Sequence, residues 1–175
     1  LISIVPFESF NIRLLRDKVS IKDVEDLKEN EYNPGGSTPL YDAIGFGISS
    51  IRKEVTDNDS VLVTIITDGE ENSSREYSGK AIAASIDELK QKGWLFTYIG
   101  ANQDAVKVAK AMNISNALNF EQDEEGTMEM FRRERKSRER FFEKTASFLG
   151  LGKAFAIEAR KEIACEDSYF EDTDK

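Results

Sequence analysis

Apolar residues recur along this chain with two different periods, and the period identifies each element. Residues 61–67 are the plainest case, since six of the seven are β-branched and none is charged. An uninterrupted run of this kind reads as a strand buried on both faces, in the middle of a parallel sheet covered by helices. It ends abruptly in Asp68-Gly69, followed by Glu70 and Glu71. Ahead of it, residues 1–7 read as a strand and residues 11–21 hold a second apolar run. The turn-like residues 8–11 join them into an expected hairpin at one side of the sheet. Residues 23–31 are acidic and weakly patterned, a surface connection or a short helical turn. The Pro- and Gly-rich residues 33–39 then form a loop that leads into a helix over 39–55. Leu40, Ile44, Ile48, Ile51 and Val55 make its apolar stripe. Thr38 is its expected N-cap and Pro39 its first helical residue. Gly45 and Gly47 would cost this helix about 1 kcal/mol each relative to Ala, and close packing on the sheet is the expected reason.

The alternation continues. A polar loop spans 70–78, and a helix spans 79–92 with Ile82, Ile86 and Leu89 on one side, ended by Gly93. A strand follows at 94–99, then a short helix at 103–112 with Val106, Ala109 and Met112 inward, then an edge strand at 116–120. Helix alternating with strand is the signature of a parallel α/β sheet. Beyond residue 120 the chain turns helical. A long helix is expected over 124–148, with Met128, Phe131, Phe142 and Phe148 as its contacts. Gly150-Leu151-Gly152 breaks it, a weaker helix covers 153–165, and 166–175 reads as an acidic mobile tail.

Composition narrows the chemistry. The 175 residues fit one domain, or one domain with an appendage. The net charge of −9 disfavours general affinity for nucleic acid. Histidine is absent and Cys165 is the single cysteine, which removes Ser-His and Cys-His catalysis, zinc clusters and disulfides. Any resident metal is then a hard cation held by oxygen. With no long apolar segment and no signal peptide, the expected location is cytoplasmic and no membrane partner is expected. The chain opens with Leu1 inside an apolar run, as a segment that begins mid-fold would.

Two stretches, Gly36-Ser37-Thr38-Pro39-Leu40-Tyr41-Asp42-Ala43-Ile44 and Val63-Thr64-Ile65-Ile66-Thr67-Asp68-Gly69-Glu70, resemble the corresponding loops of a von Willebrand factor type A domain. Small bacterial and phage members are the most similar. The resemblance covers residues 1–120, with 121–165 as a helical extension and 166–175 as the tail. It implies a Rossmann-like three-layer α/β fold: a mostly parallel sheet, an antiparallel edge strand and helices on both faces. It also implies a metal-ion-dependent adhesion site for Mg²⁺ or Mn²⁺, through which a protein partner is bound without catalysis. Thr38 and Asp68 match two of that site's ligands, and Ser37, Asp42 and Glu70 are neighbours able to orient them. The family's Asp-x-Ser-x-Ser motif occurs nowhere in the chain, so the expected site is partly degenerate as it stands: either the chain is clipped ahead of Leu1 and the first strand and helix are missing, as the mid-strand start favours, or it is a degenerate member whose sheet lacks a strand. A sheet that lacks a strand would leave an open position where copies could pair.

Two other classes compete with this reading. A Mg²⁺-dependent phosphoryl-transfer enzyme would use Asp68, but the chain has no P-loop and shows no second catalytic acid or basic phosphate clamp beside it. Alternatively, the basic run 132–140 could contact nucleic acid or an acidic partner, with Arg132, Arg133 and Arg135 as the contact residues. Glu134 and Glu139 interrupt that run at helical pairing distance. The expectation is therefore a non-catalytic protein-interaction module, with a solvated helix face at 132–140 and no nucleic-acid partner.

Overall fold

The computed structural model describes residues 1–9, 11–101, 104–148 and 150–171. Outside that range lie Phe10 at the expected hairpin turn, Asn102 and Gln103 at the expected start of the third helix, Leu149, and residues 172–175 of the expected tail. The chain is mixed α/β, with five helices, one three-stranded parallel sheet and two small antiparallel ladders among the described residues. It forms two compact units, one of Leu1–Glu54 with Glu70–Ser78 and the other of Val55–Gly69 with Gly79–Lys175. This partition differs from a break at residue 120. The helices after that point share a core with the sheet.

In the first unit the expected hairpin forms as two stacked ladders. β1 (Ile2–Ile4) pairs antiparallel with β4 (Arg16–Val19), and β2 (Phe7–Glu8) pairs with β3 (Asn11–Ile12) nearer the turn. Arg16 makes a two-pronged ion pair with Glu31, both contacts at 2.9 Å, which ties the polar connection back to β4. The Arg16 guanidinium holds the Glu31 carboxyl down at about 2. Helix α1 (Leu40–Ile51) then buries Leu40, Ala43, Ile44 and Ile48. It stops at Ile51 rather than running on to Val55. Its cap is also not the expected one: Pro39 occupies the N-cap position and no side chain of its own segment caps the helix.

The second unit is built on β5 (Leu62–Thr67), β6 (Leu95–Ala101) and β7 (Asn116–Phe120), parallel and in that order. The strand expected at the centre is at an edge. Among the described residues β5 pairs on one side only, and its Ile66 is 41% exposed. The strand buried throughout is β6, hydrogen-bonded on both sides. The composition of β5 shows that its side chains suit a sheet. It does not show how many strands flank it. Helix α2 (Gly79–Lys90) buries Ile82, Ile86 and Leu89 as its periodicity requires. Gly93 ends its turn in the left-handed region at φ +83°, with the Trp94 N–H reaching back 3.1 Å to the Leu89 carbonyl.

Helix α3 (Ala105–Ala111) turns Ala105 and Ala109 inward while Val106 is 55% exposed, contrary to expectation. The 7-residue helix packs through its small residues, which let it lie close to β6 and β7. The larger correction concerns α4 (Glu124–Ala146). Met128, Phe131 and Phe142 point to solvent, whereas Met130, Glu134, Ser137, Phe141 and Thr145 are buried. Apolar residues fall on both phases of this helix, so spacing alone leaves its rotation undecided. The core decides it. Met130 and Phe141 join Leu95, Ile99, Leu118, Ile163, Tyr169 and Phe170 in one cluster, with Phe148 packed against it. Ile163 belongs to α5 (Lys153–Cys165). Tyr169 and Phe170 belong to the segment expected to be a mobile tail, and each is more than 90% buried. Among the described residues no helix is long and apolar enough to cross a membrane.

The two α1 glycines differ. A Cβ on Gly45 would lie 2.6 Å from the Tyr77 ring, whereas one on Gly47 would meet only Val5, at 3.9 Å. Tyr77, and not the sheet, therefore accounts for Gly45. Gly47→Ala should raise stability by about 0.5–1 kcal/mol through helix propensity. Gly45→Ala should lower it by about 1–3 kcal/mol through overpacking. Urea unfolding of the two variants side by side distinguishes them.

Candidate functional site

Two places bear on function, one in each unit. In the first unit, the loop 70–78 wraps the start of α1. Because Pro39 carries no N–H and makes no side-chain cap, the first free amides of the helix need acceptors from elsewhere. Glu71 supplies one: its Oε2 accepts from the Tyr41 N–H at 3.0 Å and from the Ser74 hydroxyl at 2.6 Å. Its Oε1 accepts from the amides of Ser73 and Ser74 at 2.9 and 2.8 Å. The Ser74 hydroxyl oxygen in turn accepts from the Asp42 N–H at 3.1 Å. A carboxylate at this end of a helix is also favoured by the helix dipole. Desolvation opposes ionisation of Glu71, yet these four donors outweigh it and keep its pKa below the ordinary carboxylate value.

Asp42 fixes the other end of the same loop. Its Oδ1 accepts from the amides of Glu76 and Tyr77 at 3.0 and 2.8 Å, and its Oδ2 from that of Arg75 at 2.8 Å. At 9% exposure, burial would raise its pKa, but the three amides prevail and lower it. Thr38 enters through its backbone rather than as a cap: its N–H donates to Asn72 Oδ1 at 2.8 Å and its carbonyl accepts from the Asn72 N–H at 3.2 Å. Ser37 is held to Ser9 by two hydrogen bonds, of 3.2 and 2.7 Å. Gly36 between them stands at φ +78°, where a Cβ would fall 1.9 Å from the Ser9 hydroxyl. Glu70 is exposed. The segment around Thr38 and the start of α1 is thus a dense backbone-capping network in which Asp42 and Glu71 are the anchors.

In the second unit Asp68 stands just past the carboxyl end of β5, exposed to solvent. Its Oδ2 accepts from Gln122 Nε2 at 3.0 Å, and Gln122 lies just past β7. The Thr67 hydroxyl shapes the turn, donating to the Gly69 carbonyl at 3.0 Å and accepting from the Gly69 N–H at 3.2 Å. Asp104 and Asp123 cap α3 and α4 with bonds of 3.0 and 2.7 Å to the amides of Lys107 and Gly126. Asn119 Oδ1 accepts from the Ala105 N–H at 2.9 Å. The carboxyl end of this sheet is therefore polar and acidic, and in open α/β sheets that is where ligands bind. Among the described residues no group of three or more His, Cys, Asp or Glu side chains is arranged to hold a metal ion. The oxygen donors described at this end have the hard-ligand chemistry that Mg²⁺ takes.

The basic run on α4 is used internally. Arg132 pairs with Glu129 at 2.7 Å, Arg135 with Glu139 at 3.0 Å, and Arg138 with the buried Glu134 at 2.8 Å. Burial pushes the Glu134 carboxyl up, against the opposing charge of Arg138. Arg133 donates to the Phe170 carbonyl at 3.0 Å, and Arg140 to the carbonyls of Tyr169 and Glu171 at 3.1 and 2.8 Å. Asn116, 3% exposed, completes this latch. It donates to the Glu166 carbonyl at 2.9 Å and accepts from the Tyr169 N–H at 3.0 Å. Sequence reasoning took Glu71 for a solvated acid near Asp68 and missed Asn72, Ser74, Gln122 and Asn116. Each acts on a residue at least 30 positions away, or through backbone groups, and neither leaves a periodic signal.

Asp42→Asn should destabilise the protein by roughly 2–3 kcal/mol, because it replaces a charged acceptor of three amides. The folded pKa of Asp42 lies below the unfolded one, so its contribution is complete above about pH 4 and is lost as pH falls through the folded value. The variant should accordingly show a flatter stability–pH curve at the acidic end in urea titrations. Asn116→Ala should cost about 1–3 kcal/mol by leaving the buried Tyr169 amide unpaired. Faster hydrogen exchange at Tyr169 and Phe170 would report the released latch. Compared with known proteins, the chain matches no family model, no curated protein and no solved structure.

Proposed function

We propose that this chain is a non-catalytic interaction module of the von Willebrand factor type A kind, which meets a protein partner at the Asp68 end of its parallel sheet. The contact lies beside a Mg²⁺ or Mn²⁺ site that these residues leave incomplete. The observation that carries the proposal is the position of Asp68, an exposed carboxylate in a Thr-Asp-Gly turn directly beyond a parallel strand, at the edge where open α/β sheets take their ligands. The hydrogen bond to Gln122 extends this polar rim from the end of β5 to beyond β7. Asp104 and Asp123 use their carboxylates on their own helix starts, which makes the rim a rigid acidic surface. Such a surface complements a basic partner directly, or an acidic partner only with a cation between them.

A ligand that binds only the folded state raises the melting temperature with occupancy. Millimolar Mg²⁺ or Mn²⁺ should leave the melting temperature of the wild type and of Asp68→Ala unchanged, as an incomplete site requires. A rise that Asp68→Ala abolishes would show a working ion site and overturn that part of the proposal. A photocrosslinker placed at residue 122 should give a discrete protein adduct in host cells, lost in Asp68→Ala. No adduct at that position would overturn the contact itself.

A further inference from the structure

The helix face that the core rejects has a pattern of its own. Met128, Phe131 and Phe142 are 67%, 54% and 46% exposed on α4. Met128, Arg135 and Phe142 recur every seven residues, and Arg132, Glu139 and Ala146 form a second row with the same repeat. All six are exposed. Two adjacent rows of period seven form a seam along which helices pair where apolar residues occupy it, as Met128, Phe142 and Ala146 do at its two ends, with the charged Arg132, Arg135 and Glu139 between them. The C-terminal half of this seam also carries a shallow groove of about 380 Å³, lined by Arg138, Glu139, Phe142, Glu143 and Ala146. Glu139, Phe142, Glu143 and Ala146 stand at positions i, i+3, i+4 and i+7, the four-residue hole that accepts one side chain of a facing helix. Beside the N-terminal half of the seam, three residues after Met128 and four before Arg135, stands an unburied aromatic, Phe131.

From this we infer that α4 is a self-association surface, on which a second copy of this chain packs its own α4 antiparallel. The self-complementarity of the seam selects this occupant. A two-fold axis beside residue 137 places Phe131 of each copy over the groove of the other, next to Phe142. The same axis sets Arg135 opposite Glu139 of the second copy, twice, and Met128 opposite Ala146. A parallel arrangement in register would instead set Arg135 against Arg135 and Glu139 against Glu139, and like charges directly opposed are unfavourable. In the isolated chain Arg135 and Glu139 pair with each other at 3.0 Å. Both are exposed, so the exchange to intermolecular pairs needs little desolvation. The contact is one helix long and belongs to the weak, reversible class of interfaces.

The test is sedimentation velocity of the full chain over two decades of concentration, up to the submillimolar range. A concentration-dependent monomer–dimer equilibrium is expected. Phe131→Glu and Phe142→Glu should each raise the Kd at least tenfold while leaving the melting temperature near that of the wild type, since both rings are outside the core. The charge pair supplies the specific control. Arg135→Glu and Glu139→Arg should each weaken self-association alone, and mixing the two variants should restore a heterodimer, because every facing pair is then of opposite charge. A monomer at all concentrations would overturn the inference. So would a dimer indifferent to the two phenylalanine substitutions, which would place the contact elsewhere, such as the open edge of β5, or a mixture of charge variants that does not associate.

Discussion

The second unit depends on one constraint, which is that β6 has no exposed side. All seven of its residues are buried, and it is hydrogen-bonded to β5 on one edge and β7 on the other. A strand so placed carries apolar side chains on both faces, and both must be covered. Much of the chain after it can be read as that cover. Leu95 and Ile99 pack in one cluster with Leu118, with Met130 and Phe141 of α4, with Ile163 of α5 and with Tyr169 and Phe170. The buried Thr97 hydroxyl is satisfied within the sheet, by a 3.2 Å hydrogen bond to Thr64 on the neighbouring strand.

That demand explains why the C-terminal helices pack in one cluster with the strands of the sheet. To complete the cluster the chain must return after α5, and the returning segment brings unpaired backbone groups with it. Asn116, Arg133 and Arg140 hold them. Arginines of the run 132–140 thus serve as donors to carbonyls or as partners of neighbouring glutamates. The same packing fixes the rotation of α4, and so sends Met128, Phe131 and Phe142 outward. The self-association seam is a by-product of which phase the core selected.

In the first unit the organising problem is a helix that begins at a proline. Pro39 leaves α1 without a local cap, and the loop 70–78 becomes the cap from a distance, with Glu71 and Ser74 at the helix amides and Asp42 holding the loop in return. Acids that would suit a metal's surroundings are committed to amides here. Asp68, in the other unit, keeps an exposed carboxylate at a sheet end. It is this residue, rather than the Thr38 segment, that supports the interaction reading.

Much of the secondary structure is legible in the sequence, because hydrophobic period and turn chemistry are local properties. The α2 stripe of Ile82, Ile86 and Leu89, the Gly93 stop, the strands at 94–99 and 116–120 and the α/β class all follow from neighbouring residues. So does the turn at Asp68. What the sequence leaves open is every choice between alternatives of equal local merit. The β-branched run of β5 suits an edge or a centre, and only the pairing of strands makes β6 the centre. Apolar residues on two phases of α4 suit two rotations, and only the core chooses Met130 and Phe141 over Met128 and Phe142. Asp42, Glu71 and Asn116 look like solvated surface residues until folding brings backbone amides from distant positions to them. A hydrogen bond between residues 30 or more apart depends on where the chain returns, and tertiary packing alone determines that.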